Sequence, residues 1–426
     1  MVTSLDSQNK GRCSRRLPSP GPCTDPKSRP ATASLVRSFF SMGKAALLLA
    51  WLCPSLLPAL HAQSPPQRPL ASRTPEGFAV PQPHPSFAFP RDHGSHPEFK
   101  VEWWYLTGHL FDSRQRRFGF QATFFRHAAP PGTGPDRTSP QFRSDELFLF
   151  HAALLDASTG KFVHHERMAR AGWEAHASRD TLEVRLADAA LRLIPDAPQA
   201  TRFWLESTFP SGEAFSLRLT PLKPLVVFGK EGVSRKGDSD TAASWYLTFP
   251  RMEVAGDIRL GDAKIPVTGQ AWMDHEISSS QLTPEQSGWD WAGIQLSDGR
   301  EIMTYRLRRK DGSTDLASAL VWVDRQGKLT HYDASQFEWK PQSQWKSPRT
   351  RGEYPLPVVL HCIDPETGHP RQFQLQPLAL DQELHGRLGG LSYWEGACHV
   401  LSEGKPAGSA YVELTGYASD LSKSLR

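Results

Sequence analysis

Cysteine is scarce in this chain, and most of it lies near the start. Of five cysteines in 426 residues, Cys13, Cys23 and Cys53 precede residue 54. Cys362 and Cys398 are left, either as a disulfide pair in an oxidising compartment or as two buried thiols. No CxxC and no Cys/His zinc spacing occurs, and three or four convergent ligands cannot come from one strand, so no metal site is expected. A Gly-x-Ser-x-Gly elbow is missing too, which removes the usual framework of serine hydrolysis. Phosphate-binding loops are absent, and no cofactor is implied. The apolar run 45–57 is too short to anchor the chain in a bilayer.

That run does fit a secretory signal. Met42 and Lys44 form a short basic start, 45–57 the apolar core, and Leu60-His61-Ala62 a cleavage site with the cut after Ala62. Cys53 follows Leu52 rather than a small residue, which argues against a lipoprotein site. Residues 1–41, rich in Ser, Pro and Arg, read as disordered or as a translation start placed too early. Residues 1–62 are thus the leader, with the signal proper at 42–62, and the expected location is periplasmic or secreted without a transmembrane anchor. The leader carries eight Lys/Arg and two Asp, a net of +6 against +4 for the whole chain, so the rest is at −2. The basic isoelectric point belongs to the leader, and no basic field is left to attract nucleic acid.

Beyond a proline-rich lead-in at 63–90, strand signals dominate. Short alternating runs at 118–125, 147–155, 182–186, 191–194, 214–219 and 302–307 are separated by Gly, Asp-Gly or Pro-Asp punctuation. Asp298-Gly299 marks a hairpin. Helical periodicity is confined to a short piece near 284–287. The pattern predicts an all-β barrel or sandwich.

Self-comparison sharpens this. Gly269-Gln270-Ala271-Trp272-Met273-Asp274 matches Gly408-Ser409-Ala410-Tyr411-Val412-Glu413 in chemistry at each position, and each follows a strand and a turn. Tyr105 to Asp112 and Gly119 to Arg126 run parallel to Trp291 to Asp298 and Arg300 to Arg308. The expectation is a duplication: β-domains at 91–282 and 283–426, joined near 280–286.

Four segments mix large aromatics with acids: Glu102-Trp103-Trp104-Tyr105, Trp272-Met273-Asp274-His275-Glu276, Trp289-Asp290-Trp291 and Tyr393-Trp394-Glu395. In extended chain Asp274 and Glu276 share a face with Trp272, while Met273 and His275 take the other. Trp103 and Tyr105 are likewise separated from Trp104. Two carboxyls beside an indole are desolvated, which raises their pKa values; the bland alternative is strand-end acids bonded to backbone amides. His275 is either a general acid–base group or a hydrogen-bonded core histidine. The tryptophans are either a ligand wall or barrel closure. His151 reads as core, His164-His165 as a surface turn, and Ser234 with Lys236 as a solvated loop.

Phe89-Pro90-Arg91-Asp92-His93-Gly94 followed by Glu102-Trp103-Trp104-Tyr105-Leu106-Thr107-Gly108 resembles the entry segment of the AttH/CrtC family. His151-Ala152-Ala153-Leu154-Leu155-Asp156, Gly232-Val233-Ser234-Arg235-Lys236-Gly237 and Ala271-Trp272-Met273-Asp274-His275-Glu276 continue the resemblance. Gly288-Trp289-Asp290-Trp291, Tyr393-Trp394-Glu395-Gly396 and Glu413-Leu414-Thr415-Gly416-Tyr417 complete it, over residues 88–418. The family includes carotenoid 1,2-hydratases and proteins labelled predicted secreted hydrolases. The resemblance implies two tandem lipocalin-like β-barrel domains and a ligand cavity in or between them. Related members add water to isolated double bonds of isoprenoids, and others hydrate phenolics or guide cyclisation. One departure stands out: family members often carry Trp where this chain has Ile277, and loss of a cation-stabilising indole there weakens the carry-over of hydratase chemistry.

Two functional expectations follow. In the first, an acid–base hydratase or isomerase acts on an apolar unsaturated substrate. Asp274 and Glu276 are its proton donor and partner, His275 and Glu102 support them, and Trp103, Trp104, Tyr105, Trp272, Trp289, Trp291, Tyr305 and Tyr393 form the substrate wall. In the second, the protein is a non-catalytic periplasmic carrier of a lipophilic small molecule, serving an envelope ABC transporter. Ile277 leans toward the second.

Overall fold

The computed structural model describes residues 68–130, 146–195, 201–386, 388 and 390–418, all within one compact unit, Ser64–Arg426. The expected signal peptide and cleavage site, with Cys13, Cys23 and Cys53, lie outside the described residues. No helix among the described residues is long and apolar enough to cross a membrane. The single helical element described is the 3-10 turn Arg91–His93.

The fold is all-β and lipocalin-like, built on two large antiparallel sheets. The first begins at Val101–Phe111, which pairs with Arg117–Ala128 on one side and with the distant Ala263–Ser280 on the other. The second begins at Gln286–Leu296, which pairs with Glu301–Arg309 and with the last strand, Lys405–Leu414. Each sheet thus joins its first strand to its last. The register repeats as well: Tyr105 lies opposite Asp274 and Thr123, and Trp291 lies opposite Glu413 and Tyr305. Gly269 faces Leu110, and Gly408 faces Leu296. The six-residue match in sequence therefore marks equivalent places in two sheets of one plan.

Phe118, Phe120, Ala122 and Phe124 alternate into the first barrel core with Phe148, Phe150, Phe203 and Phe215. Burying each phenylalanine contributes about 1.5–3 kcal/mol. The second core gathers Ile294, Ile302, Trp322, Leu360, Phe373 and Trp394. A third, aromatic cluster joins the two sheets through Tyr105, Tyr246, Trp272, Trp291, Tyr305 and Tyr411. Strands at this junction are covered on both faces. On Arg117–Ala128, Gly119 approaches the other sheet so closely that an added Cβ would lie 2.7 Å from the Ala397 Cβ.

The Asp298-Gly299 turn connects Gln286–Leu296 to Glu301–Arg309, with Gly299 at φ +86°. The helical piece expected near 284–287 is not formed. Gln286 begins a strand, and its side-chain amide accepts from the Thr283 N–H (2.8 Å) and donates to the Lys236 carbonyl (2.8 Å). His164 and His165 stand in the strand Lys161–Arg170 rather than a turn; His165 is buried, and His164 meets His385 across the junction at 2.9 Å. Cys362 and Cys398 are two buried free thiols. From Arg68 the proline-rich lead-in is packed down: Phe78 and Val80 are buried, and Ser279 Oγ donates to the Ala79 carbonyl (2.6 Å).

Candidate active site

Between the sheets lies a cavity of about 940 Å³, open solvent at its mouth included. The first sheet supplies Trp103, Tyr105, Tyr246, Asp274 and Glu276 to its wall; the second supplies Trp289, Trp291, Tyr305, Tyr393, Glu395 and Glu413. Large rings with a few convergent polar groups are the usual form of a small-molecule site.

Asp274 is buried at the centre of a donor set. Tyr246 Oη donates to Oδ2 (2.7 Å), while Thr248 Oγ1 (2.5 Å) and Trp272 Nε1 (2.7 Å) donate to Oδ1. Trp291 Nε1 donates in turn to Tyr246 Oη (2.9 Å), so the second sheet braces the acid of the first. Burial pushes the Asp274 carboxyl up to about 7, helped by nearby Glu276, although the three donors pull it down. Glu276 accepts from Ser244 Oγ (2.6 Å) and forms an ion pair with Lys236 (2.9 Å). Lys236 lies over the rings of Tyr246 and Tyr305 at 4.9 and 4.8 Å.

At the equivalent place in the second sheet, Glu413 accepts from Trp289 Nε1 (3.0 Å). Burial pushes it up to about 7. Directly opposite it, Glu395 is held well above the usual carboxylate range by burial and by the neighbouring Glu413. Tyr105 Oη donates to Glu395 Oε1 (2.7 Å), whereas Oε2 is buried with no hydrogen-bond partner. Tyr393 Oη meets His151 Nδ1 (2.8 Å), and His151 Nε2 faces Glu166 (3.3 Å).

Glu102, His275 and Trp104 are not at the cavity. They occupy the other face of the same strands, because side chains alternate and these three have the opposite parity. Glu102 accepts from the His96 N–H (2.9 Å), His275 Nε2 (2.9 Å) and Arg126 Nε (3.0 Å), and His96 Nδ1 lies 2.8 Å from Oε1. Burial alone would raise its pKa, but the two histidines and the Arg126 cation hold it well below the usual range. Trp104 stacks on His275 at 4.9 Å and donates to the His93 carbonyl (3.0 Å). His96, Glu102 and His275 bring ligand-type atoms within 4.8 Å of one another, the one such group among the described residues. Two imidazoles and a carboxylate suit a divalent transition metal. Here one nitrogen of each ring points at one oxygen and a guanidinium lies on the other, so both oxygens of Glu102 are occupied, while His275 Nδ1 is buried with no hydrogen-bond partner.

The cavity therefore gathers Asp274, Glu276, Trp103, Tyr105, Trp289, Trp291, Tyr305 and Tyr393. Trp272 stands behind them as a donor to Asp274. Ile277 shares the parity of His275 and is buried against Phe99 and Leu247, so a tryptophan there would not reach the cavity along this strand. Lys236 and Ser234 are no solvated loop: both are buried, and Ser234 Oγ meets Tyr305 Oη at 3.0 Å. Glu413 and Glu395 were the acids that site assignment from sequence passed over. The internal repeat already pairs Glu413 with Asp274 and is the signal that reaches it.

The AttH-like family model matches residues 80–417. The chain is similar to an AttH protein of known structure from Nitrosomonas europaea, with a TM-score of 0.70 and 35% identity over 80% of this chain and 100% of that one. It shares its fold with kievitone hydratase from Nectria haematococca, at a TM-score of 0.60 and 13% identity over 83% of this chain and 98% of that one. No protein of curated function matches the chain in sequence. By the extent of the family match and the likeness to the Nitrosomonas protein, the chain belongs to the AttH-like family.

Proposed function

We propose that the protein is a periplasmic or secreted acid–base catalyst, a hydratase or isomerase, acting on an apolar unsaturated substrate of isoprenoid or lipid type. The observation that carries this reading is one aromatic cavity lined by buried carboxyls, Asp274 and Glu413, each raised to about 7. A carboxyl that titrates near neutrality can both give and take a proton in one cycle. Hydration of an alkene protonates carbon, passes through a cation and then adds water. The faces of Trp103, Trp289 and Trp291 are suited to a developing cation. Asp274 is the acid–base group, and Glu276, ion-paired with Lys236, adjusts it electrostatically. Membership of the AttH-like family and the fold shared with kievitone hydratase support a hydratase-type activity. Export rests on the signal pattern at 42–62.

The test is to purify the protein gently, identify any retained lipophile by mass spectrometry, and incubate it with wild type and Asp274→Asn. Conversion by wild type and not by the variant is the expected outcome. A lipophile bound by both forms and changed by neither would sink the catalytic reading and return a carrier, the form in which an envelope ABC transporter becomes the expected partner.

A further inference from the structure

We infer that Glu395 is the group in the cavity that gives its proton to the ligand, with Asp274 taking the proton that water loses. This rests on the acid–base reading above and assigns its two halves. The oxygens of the two acids differ in what they already hold. Three donors are spent on the two oxygens of Asp274: Tyr246 Oη, Thr248 Oγ1 and Trp272 Nε1. A carboxyl so surrounded is built to carry negative charge and to accept, because a proton on it would compete with a donor already in place. Glu395 is built the other way. Its Oε1 receives only the Tyr105 hydroxyl, and its Oε2 is buried on the cavity wall with no partner. A buried carboxylate oxygen without a donor is costly, whereas protonation of Oε2 removes that cost and leaves an uncommitted O–H on a side chain that lines the cavity.

The strand register explains why this acid is neutral. Glu395 stands directly opposite Glu413 on the same cavity face. Two carboxylates side by side in a buried site do not both ionise. The first sheet places Thr248, a donor, opposite Asp274; the second places an acid opposite its acid. Burial and the Glu413 charge both hold Glu395 protonated.

In the hydration step, the π electrons of the ligand's double bond take the proton from Glu395 Oε2. A C–H bond forms, the O–H bond breaks, and a cation and the Glu395 carboxylate result. Water then adds through oxygen to the cation, and its surplus proton passes to the Asp274 carboxylate. The two acids regain their first states by exchanging one proton with solvent, so no other reactant is consumed.

Diazoalkanes test this on the wild-type protein, since they esterify a carboxylic acid only after it protonates their carbon; the carboxylate then bonds to that carbon as N2 leaves. The protein is treated at neutral pH with diphenyldiazomethane and, separately, with the smaller ethyl diazoacetate, and esters are mapped by peptide mass spectrometry. The expected result is an ester at Glu395 ahead of Asp274 and Glu413. It should be lost in Glu395→Gln and kept in Asp274→Asn. Esters at Asp274 or Glu413 with Glu395 unmodified overturn the assignment, and so does the absence of any cavity ester with both reagents. Lipid turnover in the preceding experiment together with a label on Asp274 would leave the acid–base reading standing and remove this one.

Discussion

The two faces of the paired strands Val101–Phe111 and Ala263–Ser280 are both polar and both buried, yet they are finished differently. Behind the strands, Glu102 is ionised and surrounded by His96, His275 and Arg126, whose guanidinium also reaches Glu146 and the carbonyls of His96 and Phe99. On the cavity side, Asp274 is raised to about 7, and across the cavity one oxygen of Glu395 has no partner. A buried charge with its donors in place holds structure together. Of the cavity acids, Glu395 keeps a buried oxygen unanswered, a cost that serves no purpose in holding the fold. The contrast separates the residues that sequence proximity lumps together, since Asp274 and His275 are neighbours in the chain and belong to different machinery.

The sharpest way to break the contrast is Glu102→Leu, which takes from the buried Arg126 cation its fully buried partner and leaves it only the half-buried Glu146. Stability should fall by about 3–5 kcal/mol in chemical denaturation; a loss under about 1 kcal/mol would show that the cluster does not carry the fold. Asp274→Asn should do the reverse, lowering turnover of the retained lipid by about 10²–10⁴-fold with little loss of stability. Equal losses of stability in the two variants would erase the distinction.

Acidity should pull the two faces in opposite directions. The folded pKa of Asp274, about 7, exceeds its ordinary 3.8, so its contribution is full in acid and is lost as pH rises from about 4 to about 7. Over that window the stability of wild type relative to Asp274→Asn should fall by up to about 1.4 kcal/mol per pH unit. Glu102 is depressed below its ordinary 4.5, so its contribution is present above that value and is lost as pH falls below it. Urea midpoints of wild type and both variants across pH 3 to 8 check this, and two differences moving the same way would refute it.

Ile277→Trp places a large ring against Phe99 and Leu247 rather than in the cavity. It should cost about 1–3 kcal/mol by overpacking and leave turnover unimproved. A gain in turnover would mean that the indole reaches the cavity after all. Tyr393→Phe removes one hydrogen bond to His151 and should cost about 0.5–1.5 kcal/mol, the smallest of these effects, read as a shift in thermal midpoint.

Alternation made part of this legible in the chain itself. Period two puts Asp274 and Glu276 together and His275 apart, and puts Trp103 with Tyr105 and against Trp104. Which parity lines the cavity was not legible, because both faces are buried and the hydrophobic pattern carries no sidedness. Lys236 follows a Gly-Val-Ser-Arg stretch and so reads as a solvated turn. What draws it inside is Glu276 and two tyrosine rings, all distant in sequence. Glu395 was visible as an acid beside Trp394, but its unanswered oxygen depends on the opposing strand and on Tyr105 from the other sheet.

The equivalence of Asp274 and Glu413 has a consequence for how such a cavity changes over time. In a symmetric homodimer every substitution appears on both sides of the axis, so the two walls of a shared pocket stay identical. With both sheets in one chain, each wall mutates alone. Here one acid is answered by a threonine and the other by a second glutamate. That asymmetry gives the two walls different chemistry, so that a molecule lying between them would meet a different set of groups on each side.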